Sequence, residues 1–116
     1  DEIIEEVDIL TLHVPLTENT ENLIDKSVLK KMKSSAFLVN TSRGRVVHQG
    51  DLHHALVAGE IAGAGLDVFW EEPPTESEFL RLPNLMVTPH IGGNAREAVS
   101  AMGRAAIHNL VEYFNL

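Results

Sequence analysis

Apolar and polar positions along the 116 residues fall into two patterns that alternate. Four short runs, residues 9–14, 36–40, 64–69 and 85–88, are almost continuously apolar, rich in β-branched side chains, and bounded by polar or turn-forming residues. Runs of this kind predict strands buried on both faces, since half-exposed strands would alternate. Between them apolar positions recur at helical spacing. Val28, Leu29 and Met32 share a face behind Asp25, a natural N-cap; Leu52, Ala55 and Leu56 share another between an opening Asp51 and a stop at Gly59. Strands alternating with helices predict an α/β fold with a parallel sheet covered on both faces.

The two ends extend this picture. The chain enters through an amphipathic helical segment (Ile3, Ile4, Val7) that feeds the first strand. From Asn94 onward it reads as one long helix, with Asn94 and Glu97 in capping-box spacing and Ala98, Met102, Ala105, Ala106 and Asn109 drifting around one face. That helix is expected to pack on the sheet. A four-stranded parallel piece entered mid-helix is expected to be the second half of a doubly wound sheet, so that residues 1–116 form part of a larger domain.

Composition narrows the functions. Nine basic against seventeen acidic residues give a net charge of −8, which speaks against a surface that tracks nucleic-acid phosphates or binds an anionic membrane. Without cysteine, disulfides and thiolate zinc sites are excluded. No apolar run reaches the roughly 18 residues that cross a bilayer, and the acidic opening is unlike a signal peptide, so a cytoplasmic location is expected. No metal site is expected either: the six histidines lack zinc-ligand spacing, and His53 and His54 leave their helix on different sides as solvated side chains.

The segment Gly63-Ala64-Gly65-Leu66-Asp67-Val68 starts like a dinucleotide fingerprint, but it enters a strand where that motif must open a helix, so packing accounts for these glycines. Three other residues each stand just past the carboxyl end of a predicted strand, the edge where open α/β sheets place ligands. Arg43 lies in the small polar turn Asn40-Thr41-Ser42-Arg43-Gly44, Glu72 precedes Pro73-Pro74, and His90 follows Pro89. Singly, each reads as a surface or structural residue. Together, an arginine, a carboxylate and a histidine on one edge make a general-acid site with an anion anchor.

Four ordered blocks then carry a resemblance: Leu12-His13-Val14-Pro15-Leu16-Thr17; Leu38 through Gly44; Gly63 through Phe69 with Glu72-Pro73; and Thr88-Pro89-His90-Ile91-Gly92-Gly93. Their order and spacing resemble the D-isomer-specific 2-hydroxyacid dehydrogenases, which include phosphoglycerate dehydrogenase and glyoxylate/hydroxypyruvate reductase. The resemblance implies a partial Rossmann-type fold, the second half of the nucleotide-binding domain. It implies hydride transfer between NAD or NADP and a 2-keto or 2-hydroxy acid, usually by a homodimer. Arg43 would hold the substrate carboxylate, His90 would protonate the keto oxygen, and Glu72 would sit behind His90, favouring its charged form and fixing its orientation. Cofactor contacts implied by the matching positions are Asp67 on the nicotinamide side, Asn40 and Thr41 near its ribose, Gly92 and Gly93 where bare backbone allows close approach, and His13, Val14, Pro15 and Thr20 toward the adenosine. Asp67 also reads as a strand-end turn residue.

The family's glycine-rich phosphate turn, its ribose-reading acid and its substrate domain have no counterpart in these residues. The choice between NAD and NADP is therefore not legible, and the 116 residues by themselves are expected to be inactive. His48 and Gln49 replace an acidic pair common at the start of the helix, and Trp70 is unusual after Phe69. A second reading is a nucleotide-sensing corepressor of the C-terminal binding protein type, which shares the fold and the Arg, Glu and His.

Overall fold

The computed structural model describes residues 2–115, apart from the side chains of Glu2 and Ser77. Its elements are α1 (Glu2–Glu6), β1 (Ile9–Leu12), α2 (Lys26–Leu29), β2 (Phe37–Asn40), a 3-10 turn (Gly44–Val46), α3 (Gln49–Ala58), β3 (Gly63–Leu66), α4 (Ser77–Leu80), β4 (Leu85–Val87) and α5 (Arg96–Phe114). All four strands run parallel in the order β1-β2-β3-β4. Leu12, Asn40, Leu66 and Val87 are in register across the sheet, so the chain leaves every strand at a common carboxyl edge. The strands are shorter than their apolar runs because residues 13–14, 67–69 and 88 already belong to the loops beyond that edge.

Among the described residues the helices that join the strands lie on one face of the sheet. Neighbouring strands follow one another in sequence, and crossovers of one hand then place their helices on one side. α2 packs against α3, and Phe79 of α4 meets the His53 ring of α3 edge-on at 5.6 Å, so the three share that side. Leu29, Leu38, Leu52, Ala55, Leu56, Ile61 and Phe79 are buried between these helices and the sheet. On the opposite face Ile9 is 62% exposed and Met86 72%, with Phe37 exposed between them. A continuous apolar run cannot distinguish the two situations, because both faces carry apolar side chains either way.

Local signals at the helix ends were partly displaced. Asp25 caps α2 as expected, its Oδ1 accepting from the N–H groups of Ser27 at 2.9 Å and Val28 at 3.1 Å. Gly59 ends α3 in the left-handed region at φ 67°. Asp51, however, does not open α3. The cap is His48, whose Nδ1 accepts from Asp51 N at 3.3 Å, while the Asp51 carboxylate reaches across to Lys26 N at 2.9 Å and ties α3 to α2. The Asn94 and Glu97 capping box is also absent: α5 begins after Ala95 with no side-chain cap.

α5 departs furthest from expectation. None of its residues is buried, and Val99, Met102, Ile107 and Leu110 are exposed. The helix extends from the sheet instead of packing on it, giving a molecule of 58 × 33 × 25 Å. Among the described residues no helix is long and apolar enough to cross a membrane.

Candidate active site

The carboxyl edge gathers the expected residues on three loops. After β2, Asn40 is 1% exposed and knots the turn that carries Arg43: its Oδ1 accepts from Ser42 N at 3.0 Å and Ser42 Oγ at 2.9 Å, and its Nδ2 donates to the Arg43 carbonyl at 2.9 Å. Arg43 itself is exposed, with Nη1 donating to the Ser42 carbonyl at 2.7 Å. Thr41 is exposed beside it.

Loops two and three meet. Glu72, six residues past β3, accepts from Phe69 N through Oε1 at 3.0 Å, and its Oε2 lies 2.7 Å from Nδ1 of His90. With Glu72 ionised, Nδ1 must carry the proton of that bond, so Nε2 is the nitrogen turned away from the carboxylate. The His90 side chain is 49% exposed. The imidazole hydrogen bond and the Phe69 N–H hold the Glu72 carboxyl below its ordinary range.

The Arg43 and Glu72 loops touch through Gly44, a residue whose importance the sequence did not reveal. A Cβ built on Gly44 would fall on the Phe69 carbonyl and stand 2.6 Å from Trp70 N. Backbone thus lies on backbone here. Trp70, uninterpretable in the sequence, locks this contact: its Nε1 donates to the Val47 carbonyl at 3.0 Å and the Arg45 guanidinium stacks 4.6 Å above its ring. Only folding brings residue 44 to residue 69.

Asp67 is 5% exposed at the end of β3. Burial raises its carboxyl, but hydrogen bonds from Thr88 Oγ1, Ile91 N and Gly92 N, with the His90 charge, outweigh it and leave the group below the usual range. Both Asp67 and Asn40, expected against the cofactor, therefore have side-chain oxygens engaged by the protein. Near β1, Val14 is half-buried, His13 and Pro15 are exposed, and Thr20 Oγ1 donates to the Pro15 carbonyl at 2.6 Å, closing the 15–20 loop. Gly93 is exposed. A cavity of about 330 Å³ lined by His48, Gln49, Trp70, Glu71, Glu76 and Phe79 lies at the start of α3 and includes none of Arg43, Glu72 and His90. The candidate site is an open edge, not that cavity.

The lowered carboxyls have a measurable consequence. Asp25 is also held down, first by the Ser27 hydroxyl and then by the Val28 N–H. Groups with depressed native pKa values bind fewer protons folded than unfolded, so their stabilisation is fully present above the unfolded carboxylate range near 4 and is lost as pH falls from there through the lowered native values. Urea midpoints should hold between about pH 7 and 5 and drop steadily from about pH 4 to 3. A flat or rising midpoint over that lower interval would contradict these carboxylate contacts.

The family model of the D-isomer specific 2-hydroxyacid dehydrogenase, NAD binding domain, matches residues 1–92. A glyoxylate reductase of Korarchaeum cryptofilum is 46% identical over 114 residues, 97% of this chain and 34% of that protein. A glycerate dehydrogenase of Methylorubrum extorquens is 45% identical over 111 residues, 93% of this chain and 35% of that protein. Among solved structures, the NAD-complexed D-isomer specific 2-hydroxyacid dehydrogenase of Lactobacillus delbrueckii ssp. bulgaricus superposes with a TM-score of 0.84 at 35% identity, covering 98% of this chain and 39% of that one. The chain spans about a third of the length of the curated relatives it matches.

Proposed function

This chain belongs to the D-isomer specific 2-hydroxyacid dehydrogenase family through its NAD binding domain, and on that premise we propose that its carboxyl edge is the catalytic side of a 2-keto acid reductase using NAD or NADP. The observation that carries the reading is the Glu72 and His90 pair, 2.7 Å apart, on a sheet edge that also bears Arg43.

When bound, the reduced nicotinamide supplies a hydride for C2 of the keto acid. His90, charged and backed by Glu72, holds a proton at Nε2 and delivers it to the keto oxygen as C=O becomes CH–OH. Glu72 keeps Nδ1 occupied, so the ring can offer only Nε2. Arg43, on its Asn40-knotted turn, is placed to swing its guanidinium from the Ser42 carbonyl onto the substrate carboxylate and to polarise the adjacent keto oxygen. For the cofactor, the exposed Thr41 hydroxyl, half-buried Val14, and exposed Gly92 and Gly93 fit a flat ring and ribose. His13, Pro15 and the Thr20-closed loop would continue that wall toward the adenosine, while Asn40 and Asp67 support the site from beneath. No glycine-rich phosphate turn lies in this sequence to complete the cofactor site.

Relatives named reductases and dehydrogenases favour this reading over the corepressor alternative. Glyoxylate and hydroxypyruvate are the preferred substrates on the same ground, 3-phosphohydroxypyruvate a further candidate. The proposal includes a cytoplasmic homodimer, the exposed apolar stripe of α5 supporting association.

The test is reduction of glyoxylate and hydroxypyruvate by the full-length protein with NADH and with NADPH, with chiral analysis of the product. D-configured product from hydroxypyruvate is expected, and absence of turnover with every pair would overturn the proposal. Arg43→Ala should lower kcat/KM by about 10²-fold or more, raising KM as well as lowering kcat, because the guanidinium serves ground and transition state alike.

A further inference from the structure

His90 is the one residue of the catalytic trio in the left-handed region, at φ 53°. Residues other than glycine adopt that region rarely. Here the contacts that hold it are visible. Thr88 follows β4 directly and its N–H still donates to the Leu66 carbonyl at 2.9 Å, while its Oγ1 donates to Asp67 Oδ1 at 2.5 Å. On the far side of His90, Ile91 N donates to that same Oδ1 at 2.9 Å and Gly92 N to Oδ2 at 2.8 Å. One buried carboxylate therefore holds both feet of the loop on which His90 stands. His90 N closes the turn onto the Thr88 carbonyl at 3.0 Å.

Gly92 belongs to the same device. A Cβ there would stand 2.9 Å from Asp67 Oδ2, in the place the carboxylate needs to reach the Gly92 N–H. Crowding by Asp67 thus gives Gly92 a role separate from any approach to a cofactor.

We propose that Thr88, acting through Asp67, is a positioning residue for His90: the clamp formed by Thr88 Oγ1, the Asp67 carboxylate and the N–H groups of Ile91 and Gly92 fixes the His90 backbone, and with the Glu72 contact sets where Nε2 points. The Thr88 hydroxyl orients Asp67 so that one oxygen serves Ile91 and the other Gly92. Removing the hydroxyl frees the carboxylate to turn, loosening the far foot of the loop and letting the ring wander from its Glu72-bound position. This deepens the reading of His90 as the proton donor and rests on it.

The experiment uses the full-length protein with labelled histidine, in the Thr88→Val, Thr88→Ser and Gly92→Ala variants. Valine keeps the shape of threonine and loses only the donor; serine keeps the donor; alanine at 92 crowds Asp67 with Thr88 intact. In Thr88→Val, hydrogen exchange at Ile91 and Gly92 should quicken, the His90 ring resonances should shift, and kcat for keto acid reduction should fall about 10-fold or more with NADH affinity unchanged. Thr88→Ser should restore all three, and Gly92→Ala, by crowding Asp67, should quicken exchange and shift the His90 ring resonances as valine does. Wild-type exchange and ring resonances in Thr88→Val, or failure of serine to restore them, would overturn the clamp. Exchange and resonances are read without substrate, so a protein that reduces no keto acid would refute the proposed reaction while these signals still decide the clamp.

Discussion

Replacing His90 with alanine is expected to lower kcat for 2-keto acid reduction by the full-length protein about 10²- to 10⁴-fold, the range for losing a positioned general acid. The loss should fall on kcat more than on KM, since in the proposed reaction the proton is given up in the transition state and Arg43 would still anchor the carboxylate. Alanine also changes the backbone preference at φ 53°, so a second variant is needed. Asparagine tolerates the left-handed region and should leave the loop in place, yet it has no proton to donate at neutral pH. His90→Asn and His90→Ala are therefore expected to lose comparable activity, with the asparagine variant less destabilised than the alanine variant. Steady-state kinetics and thermal melts read both. Activity within a few-fold of wild type in either variant would remove His90 from the chemistry.

Gly44→Ala is expected to have the largest effect on the fold, costing about 3 kcal/mol or more. The added methyl would overlap the Phe69 carbonyl, and neither backbone can yield like the end of a side chain. Separating them strains the Trp70 to Val47 hydrogen bond and the Arg45 stack, and it moves the Phe69 N–H that holds Glu72. Stability and turnover of the full-length protein should fall together, with a lower thermal midpoint. Gly50→Ala is the control. It sits in the first turn of α3, where a Cβ meets only the His48 ring at 3.6 Å, and should be neutral or stabilising by up to about 1 kcal/mol. Equal melting temperatures for Gly44→Ala and wild type would refute the backbone contact.

The sequence showed the four strands and their helices because each needs only local periodicity and a cap or stop to be recognised. Asp25 and Gly59 are such signals, and both act where expected. At α3 the local pattern pointed to Asp51, yet His48 caps the helix and the Asp51 carboxylate accepts from Lys26 N, 25 residues away. The strand-end positions of Arg43, Glu72 and His90 were likewise legible, since each follows an apolar run, and four ordered motifs pointed to the family.

Tertiary structure alone decided what holds those residues. Gly44 against Phe69, Trp70 on Val47, and Asp67 gripping both sides of His90 join positions more than 20 residues apart, and no local pattern encodes such a meeting. It also decided which surfaces are bare. Apolar runs state that a strand or helix wants cover; among the described residues the crossovers keep their helices on one side and leave Ile9 and Met86 exposed on the other. The strand-end placement of Arg43, Glu72 and His90 could thus be read from the chain itself, because residue type and strand-end position are local. Their mutual geometry could not, because it follows from contacts that exist only once β2, β3 and β4 lie side by side.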